Sequence, residues 1–494
     1  MSERPAARYL PLNRNQHVLR PLDLEHLVDE DHTARKIWRV VESLDLSGFE
    51  TEVRAVEGVA GRSAHSPHLL VSVWIYAYSK RLHSAREIAR QMEHEPGLEW
   101  LTALRPINHH TLSDFRVSHG EALRELFIQV LGMLAKSGLI TLDCVAVDGT
   151  KIRADAGRKS FRRSDGVRTH LAAARRHIEE LEREEADEQT TKRQHAAHKR
   201  AAREREQRIE EAQAEIERLR ASKKGDKRKQ PQASTTDPSA RFMRNGDGGL
   251  APAYNVQVAA DGAHGLIVDI EAINDPQDAV QWVPAMERLK KSWGRYPQQA
   301  LADGGYTNHV SVVAMSERGI DFYGTMTGRS SAPPGLSGGC EPEYRLDCFD
   351  YDEAANEMVC PEGKRLAFRG ERELPGGRRL LQWTARAEDC RACPARMKCC
   401  PRLQIKRRGR SVSWQQVHRA VEAFDRKMAT PEAQRTYGRR GPLVEFANAW
   451  IKQKLGLRRF ATRGQTKVQC EALWAALTHN LQRAFQLAPQ LLEA

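Results

Sequence analysis

The sequence predicts an α/β protein in which a helical region precedes a central sheet and two inserted segments interrupt it. The first sign is a short apolar run with two β-branched residues, Cys144 to Val147, which ends at Asp148-Gly149-Thr150 as a buried strand does. The second is the alternation of strand-like and helix-like stretches over residues 236–326. The third is the helical spacing of apolar residues between 20 and 140. The strand before Asp148 is therefore the predicted start of the sheet.

The composition indicates a large, basic protein of several structural units. A chain of 494 residues is too long for one ordinary core and predicts about three or four units. A net charge of +13 is compatible with a polyanionic partner, although charge alone says little about function. The first residues lack the apolar core of a signal peptide, and no run approaches the length of a membrane span. We therefore expect a soluble, cytoplasmic protein.

Changes in composition divide the chain into five predicted parts. These are a helical domain (1–140), the first parts of the α/β core (141–157 and 236–326), a charged insertion (158–235), a cysteine-rich insertion (327–410) and the last part of the core (411–494).

The helical domain shows short helices separated by polar turns. Its last predicted helix starts near Thr111 and carries the polar side chains His110 and Arg116 near its beginning. This arrangement fits a helix-turn-helix-like module in which His110 and Arg116 contact DNA. A small helical bundle without DNA-binding function gives the same pattern.

The charged insertion predicts an antiparallel helical hairpin. Apolar residues recur at heptad spacing from Leu171 to Leu181 and again from Ile209 to Leu219, on either side of a polar stretch. A continuous helix over 171–222 would carry the chain roughly 75 Å away at 1.5 Å per residue, whereas the next strand has to return to the sheet. Basic residues bracket the hairpin, including Lys223 to Lys229, and most of these are expected to be solvated.

Two aspartates stand at the ends of predicted core strands. Asp148 follows the first strand, and Asp303 follows the strand QQALADGGY. Three leading strands followed by alternating helices and strands give the order of a ribonuclease-H-like fold, in which a second carboxylate follows the fourth strand. Carboxylates held by strands suit a hard divalent cation, although an aspartate in a strand-ending turn often has only a local structural role.

The cysteine-rich insertion predicts a structural zinc site. Cys390-Arg-Ala-Cys393 is followed by Cys399, and Cys360-Pro-Glu-Gly supplies a distant knuckle, so these four thiols are the proposed ligands. Cys400 competes with Cys399 for the last position, and two further cysteines, Cys340 and Cys348, are spare candidates. A redox dithiol and reduced, metal-free cysteines are the alternatives.

A predicted helix from Pro442 to about Lys454 carries the last group of polar residues. Glu445 lies in its first turn and Lys452 two turns on along the same face, while Tyr437 and Arg440 precede it. An acid with a lysine can hold a metal ion and bind phosphate oxygens. An ordinary amphipathic helix with a charged solvent face is the other reading.

These motifs together resemble bacterial insertion-sequence transposases of the DDE type that have a Tyr-Arg-Glu-Lys signature. The signature corresponds to Tyr437-x2-Arg440-x4-Glu445-x6-Lys452. Further matching stretches are SAREIARQ, HHTLSDFR, VDGTKI, TDPSARFM with YNVQV, LADGGY, the cysteine knuckles and GLRRFATRG. The resemblance covers most of the chain. Within this group of transposases, the chain resembles in particular the insertion sequence 1182 family.

The resemblance implies a catalytic triad of Asp148, Asp303 and Glu445 that holds two Mg²⁺ or Mn²⁺ ions. It implies cleavage of the element's ends and transfer of the 3′-hydroxyl into target DNA, by a homodimer acting on paired ends of double-stranded DNA near the bacterial nucleoid. Tyr437, Arg440 and Lys452 would bind the phosphate backbone. A metal-dependent nuclease without strand transfer and an inactive, DNA-binding repressor remain alternatives.

Overall fold

The computed structural model describes residues 23–51, 63–183, 192–222, 230–246, 248–326, 340–374, 378–401, 407–416 and 418–489. The basic stretch Lys223 to Lys229 lies outside these residues. Among the described residues, no helix combines the length and the apolar character needed to cross a membrane.

Six helices form the N-terminal region. They are α1 (Thr33–Glu42), α2 (Pro67–Ser79), α3 (Ala85–Gln91), α4 (Pro96–Leu101), α5 (His109–Ser118) and α6 (Gly120–Lys136), with 3-10 turns at Glu25–Leu27 and Ser47–Phe49. Helix α2 is apolar on all sides, and its residues from Leu70 to Tyr78 are buried. The single helix expected from Thr111 onward is two helices, because the chain breaks at His119.

The first strand is followed by the helical hairpin. Strand β1 (Cys144–Arg153) leads through a 3-10 turn (Arg158–Ser160) to β2 (Phe161–Arg162), α7 (Ser164–Arg183), α8 (Lys192–Ser222) and β3 (Ala233–Ser234). β2 and β3 pair with each other, so the hairpin starts and ends at one point. Arg175 pairs with Glu206 and Glu210, and Glu182 with Arg203, which makes α7 and α8 antiparallel, as the heptads predict.

The central sheet contains β1 and five later strands. In chain order come β4 (Arg241–Arg244), β5 (Leu250–Asp261), β6 (Ile267–Ile273), α9 (Trp282–Trp293), β7 (Gln299–Ala302), α10 (His309–Glu317) and β8 (Asp321–Tyr323). Strands β5, β1, β7 and β8 are neighbours in that order, and β6 and β4 pair with the other edge of β5. β5 is antiparallel to β1 and to β6, while β7 is parallel to β1 and β8 to β7. This topology is compatible with a ribonuclease-H-like fold.

The cysteine-rich insertion folds as a second sheet, which the sequence reading did not anticipate. After 3-10 turns at Pro342–Tyr344 and Leu346–Cys348 come β9 (Asp350–Asp352), β10 (Glu357–Val359), β11 (Arg365–Leu374), β12 (Arg378–Ala385), α11 (Ala387–Arg391), α12 (Arg396–Cys399) and β13 (Ser411–Gln416). The five strands are antiparallel in the order β13-β12-β11-β10-β9. Trp383 is fully buried in their own small core.

Four C-terminal helices complete the core. They are α13 (Arg419–Met428), α14 (Pro431–Gly438), α15 (Arg440–Ala449) and α16 (Gln465–Leu487). The predicted helix from Pro442 to Lys454 is instead α15 followed by a π-helical turn, Trp450–Lys454. Helix α15 packs on β1 and β5, and α16 packs on β6, α2, α5 and α6, which joins the N-terminal helices to the sheet.

Candidate active site

The sheet brings Asp148 and Asp303 together. Val147 of β1 is the register partner of Ala302 in the parallel strand β7, so the next residue of each strand is an aspartate. Gly305 donates its backbone N–H to Asp303 Oδ1 at 2.8 Å, which fixes that carboxylate in the turn after β7. Two side chains separated by more than 150 residues of sequence therefore share one edge of the sheet.

The two carboxylates interact electrostatically. The pKa of Asp148 is raised to about 6, mainly by burial and next by the neighbouring charge of Asp303, while the positive charge of Arg440 acts in the opposite direction. Two half-buried carboxylates repel each other, and a hard divalent cation bound to both would relieve this repulsion. The chemistry of this pair fits a magnesium or manganese ion.

Helix α15 places Asn448, rather than Glu445, against Asp148. The Asn448 side-chain amide donates from Nδ2 to Asp148 Oδ2 at 2.9 Å, and Asn448 Oδ1 is buried with no hydrogen-bond partner among the described residues. Glu445 is exposed. Its carboxylate lies near Gly441, one helical turn earlier, with Oε1 3.6 Å from the position that a Cβ atom on this glycine would take. Among the described residues, no group of three or more His, Cys, Asp or Glu side chains is arranged to hold a metal ion. The structure therefore brings two of the three predicted carboxylates together.

The remaining signature residues surround this helix. Tyr437 of α14 is partly buried beside a small apolar cluster that contains Cys144, Ala146 and Val444. Lys452 lies in the π-helical turn, so the α-helical stripe that was expected to link it to Glu445 is interrupted there.

A polar network below β1 was missed by the sequence reading. Asp278 accepts hydrogen bonds from Lys151 Nζ at 3.1 Å, Asn255 Nδ2 at 2.7 Å and Gln257 Nε2 at 2.9 Å. A Cβ atom on Gly149 would lie only 2.5 Å from Asp278 Oδ1, so this glycine lets the network approach the strand. Asp278 follows β6 in a loop, where no periodic pattern marks it.

The network also reaches the turn that holds Asp303. Gln257 Oε1 accepts a hydrogen bond from the hydroxyl of Tyr306, which is buried just after Asp303 in the sequence. One network of side chains therefore links β1 next to Asp148 with the turn that holds Asp303.

The structure corrects the prediction that Arg116 contacts DNA. Its side chain is only 5% exposed, lies over the ring of Trp74 and faces the buried Glu471 at 3.9 Å. Arg116 Nη1 also donates to the His83 carbonyl at 2.6 Å. The helical pattern of α5 places this arginine on the inner face, where it joins α5 to α16. His110, by contrast, is exposed.

The predicted zinc site is not supported. A cavity of about 30 Å³ is lined by five cysteines, Cys360, Cys390, Cys393, Cys399 and Cys400. The guanidinium of Arg410 lies beside them and donates to the Tyr344 carbonyl at 3.2 Å. Burial is the largest cause that raises the pKa of the Cys399 thiol to about 12. The metal-binding geometry is missing among the described residues, and the spare candidate Cys348 is exposed.

The reason lies in how the cysteines pack. Cys360 and Cys390 pack against the core of the small sheet, whereas Cys393 and Cys399 pack with Cys340 in a separate cluster. A cation is already present beside these cysteines, because the side chain of Arg410 reaches the carbonyl of Cys399 and lies 3.7 Å from Cys340 Sγ.

Comparison with known families identifies two segments of the chain. Residues 359–485 match the family described as a transposase DDE domain, a range that contains Glu445 and Asn448. Residues 22–118 match the family described as a transposase domain (DUF772), which corresponds to the N-terminal helices. No curated protein matches the chain. Both matched segments are transposase domains, and they support a DNA transposase function for the chain.

Proposed function

We propose that this transposase cuts the ends of an insertion sequence and joins the exposed 3′-hydroxyl to target DNA, with Asp148, Asp303 and Glu445 as the metal-binding residues of a ribonuclease-H-like domain. The observation that carries the proposal is the placement of Asp148 and Asp303 at adjacent positions of two parallel strands, with the pKa of Asp148 raised to about 6. Helix α15, which carries Glu445, packs on the same strand β1.

Use of a divalent metal, generally Mg²⁺, follows from the DDE domain. Two such ions, when bound, would supply Lewis-acid activation of the attacking water or 3′-hydroxyl and charge stabilisation at the leaving oxygen. Asp148 and Asp303 would hold them together with Glu445. Arg440 supplies positive charge next to Asp148, where the phosphate would lie.

The finer assignments belong to the same proposal. Tyr437, Arg440 and Lys452 would contact the phosphate backbone, and the exposed His110 would contact DNA from the N-terminal helices. Membership in the insertion sequence 1182 family rests on the sequence motifs. A dimer on paired ends rests on the reaction, which has to hold two DNA ends together.

Strand transfer distinguishes this proposal from cleavage alone. A duplex with a pre-cut element end would be incubated with a supercoiled target plasmid, Mg²⁺ and the full chain. We expect joined products that carry the labelled 3′ end, and none with Asp303→Asn. Metal-dependent cutting by the wild type without any joined product would support a nuclease, and binding without cutting would support a repressor.

A further inference from the structure

Four arginines meet at the C-terminal end of β1. The segment after the π-helical turn runs beside β1, with the Arg153 N–H donating to the Arg458 carbonyl at 3.1 Å and the Phe460 N–H to the Arg153 carbonyl at 2.9 Å. This pairing brings Arg153 next to the part of the GLRRFATRG motif that holds Arg458, Arg459 and Arg463. We refer to these four residues as the arginine surface.

Buried groups hold the backbone of this segment from inside. Phe460 is buried and makes an edge-to-face contact with Tyr254, with ring centroids 5.9 Å apart. The fully buried carboxylate of Glu471 accepts the backbone N–H groups of Ala461 and Thr462 at 3.0 and 2.6 Å. Asp237, also buried, accepts the N–H of Gly464 at 3.2 Å. The loop is therefore held by buried groups in addition to the contacts of its arginine side chains.

The arginine side chains point outward and carry excess positive charge. Arg459 and Arg463 are 59% and 42% exposed, and both pair with a single carboxylate, Asp155, at 3.6 and 2.9 Å. Burial lowers the pKa of the nearby Arg208, and the charges of Arg463 and Arg205 act in the same direction, while Glu204 and Glu211 act in the opposite direction. One carboxylate shared by two guanidinium groups leaves a net positive charge.

The arginine surface also adjoins the candidate active site. Arg458 Nε donates to the carbonyl of Lys452 at 3.1 Å, which ties the loop to the π-helical turn after α15. Asp148 and Arg153 are five residues apart on β1, a separation of roughly 16 Å at about 3.3 Å per residue. The odd spacing places the Asp148 and Arg153 side chains on opposite faces of β1, so DNA bound at Asp148 would reach the arginine surface around the end of the strand, past the π-helical turn, rather than along one face.

We propose that the arginine surface is a docking surface for the phosphodiester backbone of DNA, and that it contacts phosphates rather than base edges. Guanidinium groups bind phosphate oxygens in bidentate fashion, and a loop held by buried contacts loses little entropy on binding. The inference rests on the proposed function, because it assumes that the DNA substrate is positioned at Asp148.

The test is DNA binding by the full chain as a function of salt concentration. The double variant Arg459→Ala/Arg463→Ala is compared with Arg372→Ala/Arg379→Ala, which removes the same charge from exposed positions of β11 and β12 and also breaks one ion pair, Arg379 with Glu371. We expect the first variant to bind roughly tenfold more weakly and its slope of log K against log[salt] to fall by about one to two. The control variant should bind as the wild type does.

A second variant and a second duplex sequence make the result of this binding experiment unambiguous. Arg459→Lys/Arg463→Lys keeps the charge and should recover most of the slope, which would exclude misfolding as the cause of the loss. The loss should be equal for two unrelated duplex sequences, since phosphates carry no sequence information. An unchanged slope in the alanine variant, or a loss confined to one sequence, would overturn the inference. If the wild type still cuts DNA and Asp148→Asn does not, the proposed function survives that failure.

Discussion

The central sheet and the small cysteine-rich sheet differ in how they place reactive side chains. In the central sheet, the parallel pairing of β1 with β7 puts Asp148 and Asp303 at adjacent positions. In the small sheet, five cysteines line one small cavity together with Arg410, without forming a metal-binding arrangement among the described residues. Backbone register is thus sufficient to bring two strand-borne carboxylates together, whereas a four-thiolate cage requires loop side chains to converge, and sequence spacing does not ensure this.

The largest expected effect concerns what stabilises the small sheet. Trp383 is fully buried among Phe349, Met358, Leu366 and Val412. We expect Trp383→Ala to cost about 3–5 kcal/mol of the stability of this sheet, measured by denaturant unfolding. The central sheet should keep its stability, because its core is a separate cluster.

The same measurement tests the role of metal. A zinc chelator should leave the unfolding of the wild type unchanged if the apolar core stabilises the sheet. Destabilisation by the chelator as large as that of Trp383→Ala would show that zinc stabilises the small sheet. The comparison between the two sheets would then be wrong.

A glycine substitution tests the support beneath β1. In Gly149→Ala the new Cβ would meet Asp278, Gln257 and Asn255 at 2.5–2.8 Å, so we expect a loss of about 1–3 kcal/mol and a loss of cleavage. The matched control is Gly132→Ala in α6, whose Cβ would meet no atom within 4 Å and which should be stabilising by about 0.5–1 kcal/mol. Equal stabilities for the two variants would contradict the described network.

The pH dependence of stability tests the packing of α16 on the central sheet. His479 is fully buried with its Nε2 3.0 Å from the Gly265 carbonyl, and burial lowers its pKa to about 4. Because the unfolded chain takes up this proton near pH 6.5, stability falls as the pH drops from about 6.5 towards 4.

The variant His479→Gln cannot titrate. Between pH 7.5 and 5 it should lose roughly 2 kcal/mol less stability than the wild type, as measured by unfolding at each pH. Parallel pH profiles for the two proteins would show that the pKa of His479 is the same in the folded and the unfolded chain, which would contradict its burial.

The smallest effect is expected at Asn448, which orients Asp148. Asn448→Ala should weaken Mn²⁺ binding roughly tenfold, measured by electron paramagnetic resonance of the free ion, because carboxylates held by neighbouring hydrogen bonds bind metal better. Gln207→Ala, which removes an amide that donates to Glu211 at 3.2 Å on the hairpin, is the control. Identical Mn²⁺ affinities for both variants would remove Asn448 from the site.

The sequence predicted the parts of the molecule that periodicity and backbone pairing determine. The heptads of the hairpin, the strand order and the proximity of Asp148 to Asp303 all follow from local patterns and sheet geometry. Arg116 was assigned wrongly because an arginine in a polar helix can face either solvent or a buried glutamate, and only the packing of α16 decides which. Whether Asn448 or Glu445 faces Asp148 depends on the rotation of α15 about its own axis. Residue spacing along one helical face does not determine that rotation.

The most direct test of the central account is cleavage of a labelled duplex that carries the ends flanking the gene, with Mg²⁺ or Mn²⁺ present. Wild type is compared with Asp148→Asn and Glu445→Gln. We predict metal-dependent cutting at the ends that falls at least about 100-fold in both variants while DNA binding is retained. Variants that cut as well as the wild type would contradict the assignment of these carboxylates to the active site.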